Sequence, residues 1–353
     1  MNRISEQLQA RGLDALLVTN AYNRRYVSGF TGTSGCCLLT TSVCELLTDF
    51  RYVEQATEQT KASGFSVVRH EADMMATAAE RAARYRVKRL GFEKDDVSYS
   101  LYEKLQALFT NVELVPVSGI VEEMRLIKTA NEIAIIQEAA TIADRAFTHI
   151  LDFIKPGRTE LEVSNELEFF MRRQGATSSS FDTIVASGVR SALPHGVASN
   201  KTIETGDMVT LDFGAYYNGY CSDITRTIAV GEPGEKLREI YEIVLRAQLH
   251  GVAHVKAGMT GKEADALTRD IIAAAGYGPQ FGHSTGHGIG LEIHEAPGLS
   301  FRNDAVLRRG MVVTVEPGIY LEGVGGVRIE DDVVLTESGC DLLTNSPKEL
   351  LVL

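Results

Sequence analysis

The chain has 353 residues, too many for one small core, and its 44% hydrophobic and 23% charged side chains describe a folded globular protein, not a disordered or membrane-embedded one. Lys and Arg number 35 against 47 Asp and Glu. The resulting net charge of -12 repels phosphate backbones and anionic lipid, which sets nucleic acid and membrane aside as partners.

Met1 to Gln7 contains no basic segment leading into an apolar stretch, and nowhere do 18 apolar residues run together, so a cytoplasmic protein is expected. From there to residue 121, short apolar runs (Ala15 to Val18, Cys36 to Leu39, Phe65 to Val68, Arg89 to Phe92, Val112 to Val115) alternate with helix-period stretches at Tyr52 to Ala62 and Met74 to Tyr85. That alternation predicts an α/β domain over 1–121. Ser28 to Gly35 reads as a loop, since Gly29-x-x-Gly32 lacks the spacing of a phosphate loop or a dinucleotide fingerprint. Cys36, Cys37, Cys44, Cys221 and Cys340 are odd in number and lack Cys-x-x-Cys spacing, so buried free thiols are expected, not disulfides or a zinc knuckle.

A second domain is predicted over 122–353, beginning with a long helix from Met124. Pro156-Gly157 breaks that helix, and Thr159 with Glu162 forms a capping box for the next. An internal repeat follows. Lys155, Gly157, Thr159, Glu162 and Gly175 recur as Lys256, Gly258, Thr260, Glu263 and Gly276 at a constant spacing of 101 residues, so a helix pair is duplicated. The likeness continues into strands, where Gly206 to Gly214 resembles Gly310 to Gly318 and Asp212 falls on Glu316; Asp223 falls near Glu330.

Those four acids interrupt apolar strands. Val209 to Phe213 and Tyr220 to Thr225 read as a hairpin that sets Asp212 opposite Asp223 if its centre is Tyr217-Asn218, with a shifted register if the turn is Asn218-Gly219. For one such Asp a solvent-facing position is the ordinary outcome. Four at equivalent places in a repeat match the need of a metal pair for bridging carboxylates. His283, His287 and His294 cluster among glycines in a segment read as a loop, without the Glu of a zincin helix.

The order Asp212, Asp223, His287, Glu316, Glu330 closely resembles the pita-bread metallopeptidases of the prolidase and aminopeptidase P branch. Thr285-Gly286-His287-Gly288-Ile289-Gly290 and Glu316-Pro317-Gly318 share in that likeness, and a shorter echo at Tyr26-x-Ser28-Gly29-Phe30 and Thr48-Asp49-x-Arg51-Tyr52 extends it to the first domain. The resemblance implies an α/β N-terminal domain and an α+β pita-bread C-terminal domain with a pseudo-two-fold repeat. It implies five metal ligands, with Asp212 and Asp223 on one ion, His287 and Glu316 on the other, and Asp212 and Glu330 shared. It also implies that Glu316 shuttles a proton, His294 stabilises the oxyanion, His195 meets the proline side, His283 faces the substrate, and Arg328 supports Asp212. An oxygen-rich set with one imidazole and no thiolate suits Mn2+ or Co2+, with Zn2+ as the alternative.

Dipeptide-cleaving prolidases place an Arg shortly after the His-Glu-x-Pro motif, where this chain has Gly298. The expectation is therefore an Xaa-Pro aminopeptidase, with Xaa-Pro dipeptidase as the alternative. A metal-free binding module and a creatinase-like amidinohydrolase are the readings from other classes, and both conflict with the complete ligand set. A homodimer is expected from the resemblance.

Overall fold

The computed structural model describes residues 2–353, which divide into two compact units, the first ending at Arg125 and the second running Leu126–Leu353. The first unit runs α1 (Asn2–Ala10), β1 (Ala15–Val18), α2 (Ala21–Ser28), β2 (Cys36–Thr40), β3 (Cys44–Thr48), α3 (Val53–Gln59), β4 (Ser66–Arg69), α4 (Met74–Arg84), β5 (Arg89–Glu93), α5 (Tyr99–Leu108), β6 (Glu113–Val117) and α6 (Glu122–Arg125). Its strands form one sheet in the order β4-β3-β2-β1-β5-β6, with only β2 antiparallel to its neighbours. Separate apolar clusters cover the two faces: Leu16, Val18, Cys37 and Leu46 on one, Leu17, Cys36, Leu38 and Leu47 on the other. This is the period-two pattern of a sheet packed on both sides.

Strand β3, a strand absent from the sequence-based expectation, carries Glu45 as its second residue, and the charge breaks the apolar run. In the fold Glu45 is buried and paired with Arg81. The five cysteines are free, and all but Cys340 are buried. Among the described residues no helix is long and apolar enough to cross a membrane.

In the second unit the long helix begins at Ala130, not at Met124. Thr129 caps it, accepting from the Glu132 amide while the Glu132 carboxylate accepts from the Thr129 amide. The Lys128 amide donates to the Gly310 carbonyl, which holds the preceding residues out of the helix.

This helix, α7 (Ala130–Phe153), pairs with α8 (Glu160–Arg173). After them come β7 (Ser178–Ser179), β8 (Ile184–Ser187), β9 (Met208–Phe213), β10 (Ala215–Tyr217), β11 (Tyr220–Cys221) and β12 (Ile224–Ala229). The second half repeats the plan with α9 (Glu235–His254), α10 (Gly261–Ala274), β13 (Gly286–Gly288), β14 (Glu295–Leu299), β15 (Val312–Val315), β16 (Gly318–Leu321), β17 (Gly325–Arg328), β18 (Asp331–Leu335) and β19 (Cys340–Leu342). Helices α8 and α10 have 14 residues each, and Thr159 and Thr260 close matching capping boxes. Gly157 and Gly258, at φ 94° and 91°, make the same left-handed turn before them.

Alternation along the strands separates core from site. On β9, Val209, Leu211 and Phe213 pack against Ile142, Phe147, Val163 and Leu167 of the first helix pair, so Thr210 and Asp212 face away from it. On β15, Val313 and Val315 join Ala264 of α10 in another core, leaving Thr314 and Glu316 on the opposite face.

Candidate active site

Each half delivers its acids by a different local device. Asn218 and Gly219, at φ 47° and 88°, form a two-residue turn that pairs Tyr217 with Tyr220 and carries through to Asp212 opposite Thr225. The shifted register is therefore the one adopted, and Asp223 is not directly across from Asp212. Gly214 lets the strands close near Asp223, since a Cβ there would lie 1.8 Å from the Ser222 carbonyl oxygen.

His287 sits on strand β13, between β14 and β15, not in a loop. Its flanking glycines allow that close fit: a Cβ on Gly286 would meet the Thr314 carbonyl oxygen at 2.0 Å, and one on Gly288 the Ala296 carbonyl oxygen at 2.3 Å. The His287 amide donates to Thr314 Oγ1 at 3.0 Å. With Nδ1 3.0 Å from the Gly288 carbonyl oxygen, Nε2 faces the acids, 3.5 Å from Glu316 Oε1 and 3.7 Å from Asp223 Oδ2.

One cavity of about 570 Å³ gathers Asp212, Asp223, His287, Glu316, Glu330, His195, His283, His294 and Arg328 along its lining. Asp223, His287 and Glu330 each offer a ligand atom within 4.8 Å of the others. Asp212, which the resemblance makes a shared ligand, lies outside that group of three. Asp212 is instead turned to Arg328, whose Nη2 donates to its Oδ2 at 2.5 Å. Arg328 also reaches Thr225 Oγ1 at 3.2 Å and the Tyr320 hydroxyl at 2.7 Å, and the same hydroxyl lies 2.8 Å from His283 Nε2.

The His195 and His294 imidazoles are exposed and form no hydrogen bond among the described residues, though His294 packs edge-on against His287 with ring centres 4.3 Å apart. Two contributors escaped the sequence reading. Tyr320 ties His283 to Arg328, and Asp332 Oδ2 accepts the Asp223 amide at 2.8 Å. The unbroken run Glu330-Asp331-Asp332 ahead of Val333-Val334-Leu335 was the available signal for Asp332.

Burial dominates the electrostatics. It raises Asp223, Glu330 and Asp332 well above the ordinary carboxylate range, and repulsion from neighbouring acids, Glu316 among them in each case, adds to the rise. Burial likewise pushes Glu316 up to about 8, and lowers His287 and His283 to about 4. The protein by itself does not neutralise the charge it has concentrated here.

Residues 134–337 match the family described as Metallopeptidase family M24, and residues 1–127 match the Creatinase/Prolidase N-terminal domain. The chain belongs to metallopeptidase family M24.

Among solved structures, this M24 metallopeptidase is similar to the Xaa-Pro dipeptidase from Bacillus anthracis, with 61% identity and a TM-score of 0.98 over 100% of this chain and 98% of that one. It is also similar to the X-Pro aminopeptidase from Thermotoga maritima, with 43% identity and a TM-score of 0.92 over 99% and 100% of the two chains. A curated relative, the Xaa-Pro dipeptidase of Pyrococcus horikoshii, is 42% identical over 99% of this chain and 98% of its own. Such neighbours carry the pita-bread fold expected from the sequence.

Divalent metal is the cofactor of this family, and the residues present fit it. Asp223 Oδ1 is buried without a hydrogen-bond partner, His287 turns Nε2 toward the acids, and the surrounding donors are carboxylates raised by burial. A divalent cation relieves all three conditions together.

Proposed function

We propose that this metallopeptidase is an Xaa-Pro dipeptidase, a prolidase, working with two divalent ions held by Asp212, Asp223, His287, Glu316 and Glu330. The observation that carries the reading is the convergence of these five groups on one cavity of about 570 Å³, a size suited to a small molecule. The choice of peptide rests on the relatives. Full-length Xaa-Pro dipeptidases support the alternative reading of the sequence better than its first choice, an Xaa-Pro aminopeptidase. Gly298 does border the cavity, and a Cβ there would meet nothing within 4 Å, but open space alone does not select a longer peptide.

Bound divalent ions would supply Lewis acidity toward the scissile carbonyl and toward water near neutral pH. The proline nitrogen of an Xaa-Pro bond carries no hydrogen and must gain a proton to leave. We assign that transfer to Glu316, whose Oε2 lies on the His283 side of the cavity at 4.0 Å from Nδ1. His294 has an imidazole free to donate to the developing oxyanion, and His195 is free to meet the proline side of the substrate. His283, held by Tyr320, lines the substrate space, and Arg328 holds Asp212 in place.

Asp223 and Glu330, at the centre of the cluster, are the carboxylates suited to being shared between ions. The oxygen-rich donor set favours Mn2+ or Co2+ over Zn2+. A cytoplasmic homodimer completes the reading, and sedimentation tests its oligomeric part.

The deciding experiment compares kcat/KM of the Mn2+-loaded enzyme on Xaa-Pro and Xaa-Pro-Yaa peptides. Preference for the dipeptide is expected, and preference for the tripeptide would return the aminopeptidase reading to first place.

A further inference from the structure

A second pocket of about 370 Å³ opens beside the cavity, and Phe181, Asp182 and Val197 line both. Its remaining walls are of two kinds. Leu161 supplies further apolar surface, while Glu168 and the buried Thr183 supply oxygen acceptors. Asp182 is exposed and has no ion pair or hydrogen bond among the described residues, whereas the Glu168 charge is matched by Arg172 at 2.9 Å. Thr183 is 6% exposed and its hydroxyl, like that of Ser179 in the same pocket, has no protein partner. Burying a hydroxyl without a partner is costly, and a ligand that donates hydrogen bonds removes the cost.

An Xaa-Pro dipeptide presents three features that vary or carry charge: the ammonium, the side chain of Xaa and the terminal carboxylate. An anionic pocket excludes the carboxylate. The ammonium is compact and uses no apolar wall, whereas a lysine or arginine side chain has an aliphatic stem for Leu161, Phe181 and Val197 and a cationic, donor-only head for Asp182 and the hydroxyls. Resting on the dipeptidase reading, we infer that this side pocket takes a cationic side chain of the residue before proline, with Asp182 as the residue that selects it.

The test compares Arg-Pro and Lys-Pro with norleucine-Pro, which has a similar stem and no charge, in the wild-type enzyme and in Asp182→Asn and Thr183→Val. Wild type is expected to favour the cationic dipeptides, and Asp182→Asn to lower the ratio of their kcat/KM to that of norleucine-Pro by about three- to tenfold, the worth of a partly solvated charged hydrogen bond. Thr183→Val is expected to lower the same ratio by a smaller factor. No cationic preference in wild type, or a ratio unmoved by Asp182→Asn, overturns the inference. An equal loss on all three dipeptides also overturns it and assigns Asp182 to the ammonium. If dipeptides are not cleaved but Xaa-Pro-Yaa peptides are, the dipeptidase reading fails, and the ratio of Arg-Pro-Yaa to norleucine-Pro-Yaa still decides the pocket.

Discussion

Glu330 and Asp331 are neighbours in the chain and both are buried, yet their surroundings drive them in opposite directions. Burial pushes Asp331 upward, but Arg226 and Lys348 outweigh it and hold the carboxyl below its ordinary value. Thr344 and Gln248 fill its remaining acceptor sites. Glu330, one residue earlier, faces Asp223, Glu316 and His287, and among the described residues its carboxylate receives a side-chain hydrogen bond only from Thr225. Alternation along the strand turns one acid into a satisfied internal ion pair and the other toward a cavity where acids outnumber cations. A buried carboxylate is therefore not by itself a sign of function. The sign is a buried carboxylate whose countercharge the protein omits.

Removing an acid should have unlike consequences on the two sides. Glu330→Gln is expected to lower kcat by roughly a thousandfold or more through loss of a metal donor and transition-state charge stabilisation, with little change in fold. Steady-state kinetics with metal analysis of the purified variant checks this, and near-normal activity would remove Glu330 from the site. Asp331→Asn should do the reverse, costing roughly 3–5 kcal/mol by leaving Arg226 buried without its charge partner, as read from urea unfolding.

Arg328 tests the boundary between the two environments, because it is a protein cation that has been placed at the cavity. Arg328→Lys keeps the charge but loses the fork that joins Asp212, Thr225 and Tyr320. Metal affinity or activity is expected to fall about 10- to 100-fold, the range for groups that orient metal ligands. Full activity in this variant would show that Asp212 needs no such support.

The smallest effect concerns pH. A carboxyl whose folded pKa is raised binds its proton more tightly in the native state, so its contribution to stability is present below the unfolded value and is lost as pH climbs through the folded one. For Glu316 that window runs from 4.5 to about 8. His283 and His287, lowered from 6.5 to about 4, act with the opposite sign below 6.5, so metal-stripped protein should lose stability most clearly from 6.5 to about 8, and saturating Mn2+ should restore it, by about 2.7 kcal/mol at a hundred times Kd. Asp331 has the opposite sign: its lowered pKa contributes stability above 3.8 that is lost on further acidification, with or without metal. Thermal melts at graded pH, with and without metal, separate the two, and a metal-stripped protein indifferent to pH between 6.5 and about 8 would contradict the account of the cavity.

Residue types and their repetition are legible along the chain without any fold. Capping boxes at Thr159 and Thr260 and the glycines beside them are local devices whose geometry follows from short-range hydrogen bonds and φ preferences, so the duplicated helix pair was readable from its 101-residue spacing. The acids were readable in the same way, although Asp212 alone lies within a strand and Asp223, Glu316 and Glu330 sit just beyond strand ends, and so was the α/β character of residues 1–121. Which acids meet depends on long-range packing. A two-residue turn at Asn218-Gly219 shifts Asp223 away from Asp212, and the packing of β13 between two strands brings His287 to Asp223, whereas the Arg328 contact with Asp212 is the one the resemblance had implied. Register and crossing partners depend on groups distant in sequence, and one residue of slip reverses every side chain, so a linear pattern names the donors without stating which of them share a neighbour.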